Sequence, residues 1–115
     1  MGRQALWVAV ATLVAAAAPG AAKAATLAEL AGWCAPGGEP GNDRLCGAYL
    51  ETILTGLAST DPVMNGGNRS CVPEDADRKQ IIGLVRAYAG KARAPDKMAA
   101  LDGVGAAIKG RYPCK

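Results

Sequence analysis

Residues 45–57 read Leu45-Cys46-Gly47-Ala48-Tyr49-Leu50-Glu51-Thr52-Ile53-Leu54-Thr55-Gly56-Leu57. Leu45, Tyr49, Ile53 and Leu57 recur every four residues, and Cys46, Leu50 and Leu54 widen the stripe on one flank. That spacing belongs to an amphipathic helix. The stripe is expected to face a core, and Asn42 or Asp43 just upstream offers a side chain that can cap the first turn.

The neighbouring segments extend the helical reading. Upstream, Ala35-Pro36-Gly37-Gly38-Glu39-Pro40-Gly41 forbids any regular element. Before it, Thr26 with Glu29 forms a capping box and predicts a short helix from about Leu27 to Trp33. Downstream, Ser59 to Ser70 contains Asp61-Pro62 and Asn65-Gly66-Gly67-Asn68, which predict a polar, mobile loop without regular structure. Asp77 and Gln80 then make a cap pair for a third helix whose apolar face is Ile81, Leu84, Val85 and Tyr88, with Gly90 and Pro95 ending it. A last helix is expected from about Asp96, presenting Met98, Leu101, Val104 and Ile108 and weakened by Gly103, Gly105 and Gly110. No stretch sustains the alternation of a strand. The fold class is therefore all-α, a small bundle of about four helices.

The N-terminus reads as an export signal. Arg3 gives a positive start, Ala5 to Ala18 is apolar, Pro19-Gly20 breaks the run, and Ala22-Lys23-Ala24 offers the small-x-small pattern for cleavage after Ala24. The apolar run is shorter than the roughly 20 residues that span a bilayer. Leu30-Ala31-Gly32-Trp33-Cys34 nearly spells a lipobox, but Trp33 intrudes and the motif lies well beyond the apolar run, so no stable membrane anchor is expected. Residues 1–24 form the expected signal peptide and 25–115 the mature domain, placed in the periplasm. Without Arg3 and Lys23, 11 of the 13 basic residues face 10 acidic ones, a net charge of +1. That balance gives no basis for binding nucleic acid.

A single domain of this size with no Phe needs reinforcement. Cys34, Cys46, Cys71 and Cys114 supply it, since an even number of cysteines behind an export signal implies two disulfides. There is no His and no Cys-x-x-Cys pair to begin a zinc site. Of three connectivities, Cys34–Cys46 across the short Gly/Pro-rich connection and Cys71–Cys114 across the C-terminal half are favoured, and the others stay open. These closures are worth roughly 3 and 4 kcal/mol in the loop-entropy account.

Catalytic readings fail on composition. Without His, the usual general base is missing, Ser59 and Ser70 have nothing to activate them, and Glu74, Asp75 and Asp77 suit a helix N-terminus better than an acid–base pair. Arg86, Lys91, Arg93 and Lys97 make a basic edge that suits a helix C-terminus, and Arg86, Arg93 and Lys97 are equally a second candidate edge for steering toward an acidic partner. Neither an enzyme nor a cofactor is expected. Asn68-Arg69-Ser70 matches a glycosylation pattern that matters only in a glycosylating host. The segment Thr60 to Arg69 is the candidate for partner binding, with Val63, Met64, Asn65, Asn68 and Arg69 as contact residues, because loops carry function and Met and Arg are enriched at interface centres; the alternative, equally open, is a flexible connection with Met64 tucked against Tyr49 or Tyr88.

Several ordered pieces of the chain resemble the Rap/Tai immunity-protein family, periplasmic proteins that protect bacteria from type VI secretion peptidoglycan amidases. They are Cys46-Gly47-Ala48-Tyr49-Leu50, Cys71-Val72-Pro73-Glu74 with Gln80, Leu84-Val85-Arg86-Ala87-Tyr88, and Ala107-Ile108 followed by Tyr112-Pro113-Cys114. The resemblance covers about residues 27–114. It departs at Ala48 and Thr52, where the family usually has Gly, and at Ala94 to Ala100, which is shorter than the usual Pro-led turn. The resemblance implies a small disulfide-bonded helical domain that binds a protein partner, an amidase effector, over its active-site groove, with a homodimer left open. A periplasmic stress or chaperone-like protein without a toxin partner is the alternative, although the lack of His argues against a switch between pH 5 and 8.

Overall fold

The computed structural model describes residues 25–115, and the expected signal peptide over residues 1–24 lies outside the described residues. Five helices follow one another: α1 Leu27–Trp33, α2 Asn42–Ala58, α3 Pro62–Asn65, α4 Arg78–Lys91 and α5 Ala100–Ile108. Among the described residues there is no strand, and a lone antiparallel bridge joins Thr26 to Ala99.

Helix α1 begins as its capping box dictates. Thr26 Oγ1 accepts from the Glu29 amide at 3.1 Å and Glu29 Oε1 accepts from the Thr26 amide at 2.9 Å. Seven residues are too few to stay helical alone in water, so α1 depends on burial. Leu27 and Leu30 are wholly buried, and α1 packs on α2, α4 and α5. Its first amides are satisfied by the chain ahead of α5, Leu27 N donating to Met98 O at 2.8 Å and Ala28 N to Pro95 O at 3.0 Å. This corrects the expected start of the last helix near Asp96. Pro95 and Met98 serve as acceptors for α1 and Ala99 is extended, so α5 starts only at Ala100.

Helix α2 also departs from expectation in two respects. Its N-cap is Gly41, in the left-handed conformation at φ 94°, with no side-chain cap from Asn42 or Asp43. The chain leaves the Pro/Gly segment through a turn that only glycine adopts without strain, so Asn42 already stands inside the helix. Leu45, expected to face the core, is 40% exposed. The buried arc runs through Leu50, Ile53, Leu54 and Leu57, and at 3.6 residues per turn Leu45 lies about 140° from Leu50 and opposite Leu54.

In α4, Asp77 Oδ1 accepts from the Lys79 amide at 2.9 Å, and the helix passes Gly90 to end at Lys91. Ile81 and Val85 are buried, with Leu84 and Tyr88 packed at the edge of the core. At the α4 start, the Arg78 guanidinium forks onto Glu51 of α2, Nε to Oε2 at 2.5 Å and Nη2 to Oε1 at 3.2 Å. The hydrogen bond to Glu51 raises the Arg78 pKa above its ordinary value against the opposing effect of burial. Arg78 Nη1 also donates to Ala76 O at 3.1 Å, so one cation ties the approach to α4 onto α2.

Both disulfides form in the favoured pairing, Cys34–Cys46 with Cα atoms 5.0 Å apart and Cys71–Cys114 with Cα atoms 4.9 Å apart. The first joins the end of α1 to the first turns of α2, beside the Trp33 and Tyr49 rings, whose centroids are 4.9 Å apart. The second returns the C-terminus to the chain ahead of α4, where Cys71 N donates to Tyr112 O at 2.8 Å.

The glycines of α5 have a packing reason. A Cβ at Gly103 would lie 2.5 Å from Leu27 Cδ1, and one at Gly105 would lie 2.6 Å from Asn68 Cβ. Their absent side chains let α1 and the 60–69 segment sit directly on α5. Gly103→Ala therefore destabilises the protein by about 1–3 kcal/mol through overpacking, whereas Gly83→Ala, in open space within α4, stabilises it by roughly 0.4–1 kcal/mol. Urea unfolding of the two oxidised variants checks this, and similar effects from both would contradict the close approach.

Candidate functional site

The segment expected to be a mobile loop is an ordered, single-turn helix. Asp61 is its N-cap, with Oδ1 accepting from the Val63 amide at 3.0 Å, and Pro62 occupies the first helical position. Proline suits that position because its missing N–H would be unpaired there anyway. Gly66 N closes the turn onto Pro62 O at 2.9 Å, and Ser70 N returns to Leu57 O at 2.9 Å. The turn is thus hydrogen-bonded within itself and tied at its far end to α2.

Asn65 holds the turn from inside. It is 5% exposed, its Nδ2 donates to Ser59 O at 2.9 Å, and its Oδ1 accepts from Gly67 N at 2.7 Å. The neighbouring helices complete the seat. A Cβ at Gly56 of α2 would lie 3.1 Å from Met64 O, and one at Gly66 would lie 2.9 Å from Asp102 Oδ1 and 3.3 Å from Leu101 Cδ2 of α5. With its underside fixed in this way, the turn points its apolar side chains outward. Val63 is 85% exposed and Met64 52% exposed.

The five candidate residues accordingly divide. Val63, Met64 and Arg69 reach solvent, while Asn65 is buried and Asn68 is half-buried against Gly105, its Nδ2 donating to Gly66 O at 3.3 Å. The glycosylation pattern thus begins at a side chain already engaged within the turn and ends at buried Ser70. Asp61 and Ser59, which anchor the turn, escaped the sequence reading even though Asp61-Pro62 is a good helix start. The nearby glycine pair read as a breaker and hid it.

Elsewhere, Glu74, Asp75 and Asp77 are exposed, and Asp77 is engaged as the α4 cap. Among the described residues no three His, Cys, Asp or Glu side chains converge as a metal site, and no helix is long and apolar enough to cross a membrane. The surface offers shape and apolar contact at α3. Against known proteins, the sequence model of the family described as Rap1a immunity proteins matches residues 26–114. No curated protein and no solved structure matches the chain.

Asn65→Ala should lower stability by about 1–3 kcal/mol, because it leaves the Ser59 carbonyl and the Gly67 amide without their partner. Val63→Ala should stay within about 0.5 kcal/mol. Thermal and denaturant melts separate the two, and a neutral Asn65→Ala would mean that the turn is held by something else.

Proposed function

This chain belongs to the Rap1a immunity protein family, and we infer that it is exported by way of residues 1–24 and neutralises a type VI secretion peptidoglycan amidase in the periplasm by stoichiometric binding. The family role is immunity through a protein effector partner. Binding, not catalysis, carries the role on this reading. The observation that supports a specific surface is the α3 turn, an apolar tip held by buried Asn65 and seated on α2 and α5.

Affinity gains when a binding element is already in its bound shape, since no ordering cost remains at association. Val63 and Met64 supply apolar area for an effector cleft, and Arg69 supplies a cation beside it. Asn65 and Asn68 contribute through the shape of the turn. The reading thus assigns contact to three residues and positioning to two.

To test it, the protein is isolated from the periplasm as a chain beginning at Ala25 and titrated against an amidase encoded beside its gene. Met64→Ala and Arg69→Ala should each weaken binding by about 1–2 kcal/mol with unchanged melting behaviour. Parent-like binding by both variants would make α3 a mere connection. A parent protein that does not bind would remove the amidase assignment.

A further inference from the structure

A second surface lies between α1 and α4, distant from α3 in the chain and next to Cys34 of the first disulfide. Ala28, Ala31, Gly32 and Ala35 from α1 and its exit face Arg86, Ala89 and Gly90 of α4 across an open groove of about 360 Å³, with Pro95 also lining it. The α1 positions follow helical spacing, as do those on α4, so each wall is one helix face of alanine and glycine, with Arg86 added on the α4 side. Backbones approach closely over such walls. Ala28 to Ala35 covers about two helical turns, roughly 10 Å of length, which suits a short protein segment.

Arg86 is the one long side chain in the lining, and it is exposed. Arg93 and Lys97 stand two residues to either side of Pro95 and are exposed as well, and Lys91 ends α4. The acids nearest in sequence to these walls are Glu29, engaged in the α1 capping box, and Asp96. Among the described residues the ion pair is Arg78–Glu51, and none of these cations forms one there. The α4 dipole makes cations tolerable at this end, but it does not account for a bare apolar floor beside them.

The charge also selects the occupant. Two copies packed through this groove about a twofold axis would bring their Arg86 side chains and basic edges together, which is unfavourable. A membrane is a poor fit, because the apolar surface is recessed and has no protruding side chain to insert. An acidic protein segment satisfies both features, its small or apolar residues lying on the Ala/Gly floor and a carboxylate meeting Arg86 as a charge-assisted pair.

We propose that the α1–α4 groove docks a short acidic, apolar-faced segment of the same effector that contacts α3, making recognition two-sited. This rests on the effector reading above. With oxidised, full-length mature protein and the adjacently encoded amidase, Arg86→Glu should weaken binding at least tenfold and flatten its dependence on salt, while Arg86→Lys stays within about threefold of the parent. Ala31→Trp, which fills the groove, should weaken binding tenfold as well. If Ala31→Trp fails to fold, the exposed Arg86 pair decides alone. Parent-like binding by Arg86→Glu, with Met64→Ala still impaired, overturns the groove and leaves the α3 site standing. Loss of binding by neither Arg86→Glu nor Met64→Ala overturns both sites, and a parent that does not bind overturns the effector reading itself.

Discussion

Leu27 resting on the bare backbone of Gly103 is the contact on which the arrangement depends. α1 is too short to persist by its own hydrogen bonds, yet it touches α2, α4 and α5 and carries two wholly buried leucines. Its seat exists only because α5 has no side chain where Leu27 arrives. The residues before α5 then accept from the first amides of α1, so helix, notch and connection form one unit. The Cys34–Cys46 bond joins the far end of α1 to α2. A chain that lacks Phe thus builds its core from aliphatic side chains, with glycines of α5 admitting Leu27 and Asn68 against its backbone.

The same helix carries the candidate binding element. α5 receives Leu27 at Gly103 and Asn68 at Gly105, and its Leu101 and Asp102 lie beneath Gly66. Fixing α5 against α1 therefore fixes the floor of the α3 turn. Buried Asn65 and the Ser70–Leu57 hydrogen bond close the turn from its own side. The exposed pair Val63 and Met64 thus projects from a turn seated on the core, and on the proposed reading the packing of the domain sets the shape of the binding element.

Local chemistry was legible where one short stretch carried its own answer. Thr26 and Glu29 located α1, Asp77 located α4, and loop spacing favoured the disulfide pairing found. Tertiary bonds were not legible. Nothing around Asp96 announces that Pro95 and Met98 serve α1 as acceptors, so the last helix was expected too early. The four-residue repeat in α2 included Leu45, but the core selects the arc around Leu50 and leaves Leu45 outside. In the 60–69 segment, turn-forming residues suggested mobility. The order there comes from Asn65 and from glycine notches on other helices, which only the fold brings near. The sequence grouped Val63, Met64, Asn65, Asn68 and Arg69 alike, and only the fold separates the outward Val63, Met64 and Arg69 from the inward Asn65 and Asn68.

Backbone ¹⁵N relaxation of the oxidised protein tests the central claim, that the α3 turn is a fixed part of the core, without any partner. Order parameters for residues 61–68 should lie near 0.85, the level of rigid backbone, and match those of α2. Values below about 0.6 in that segment, with α2 rigid, would mark a flexible loop and contradict the account.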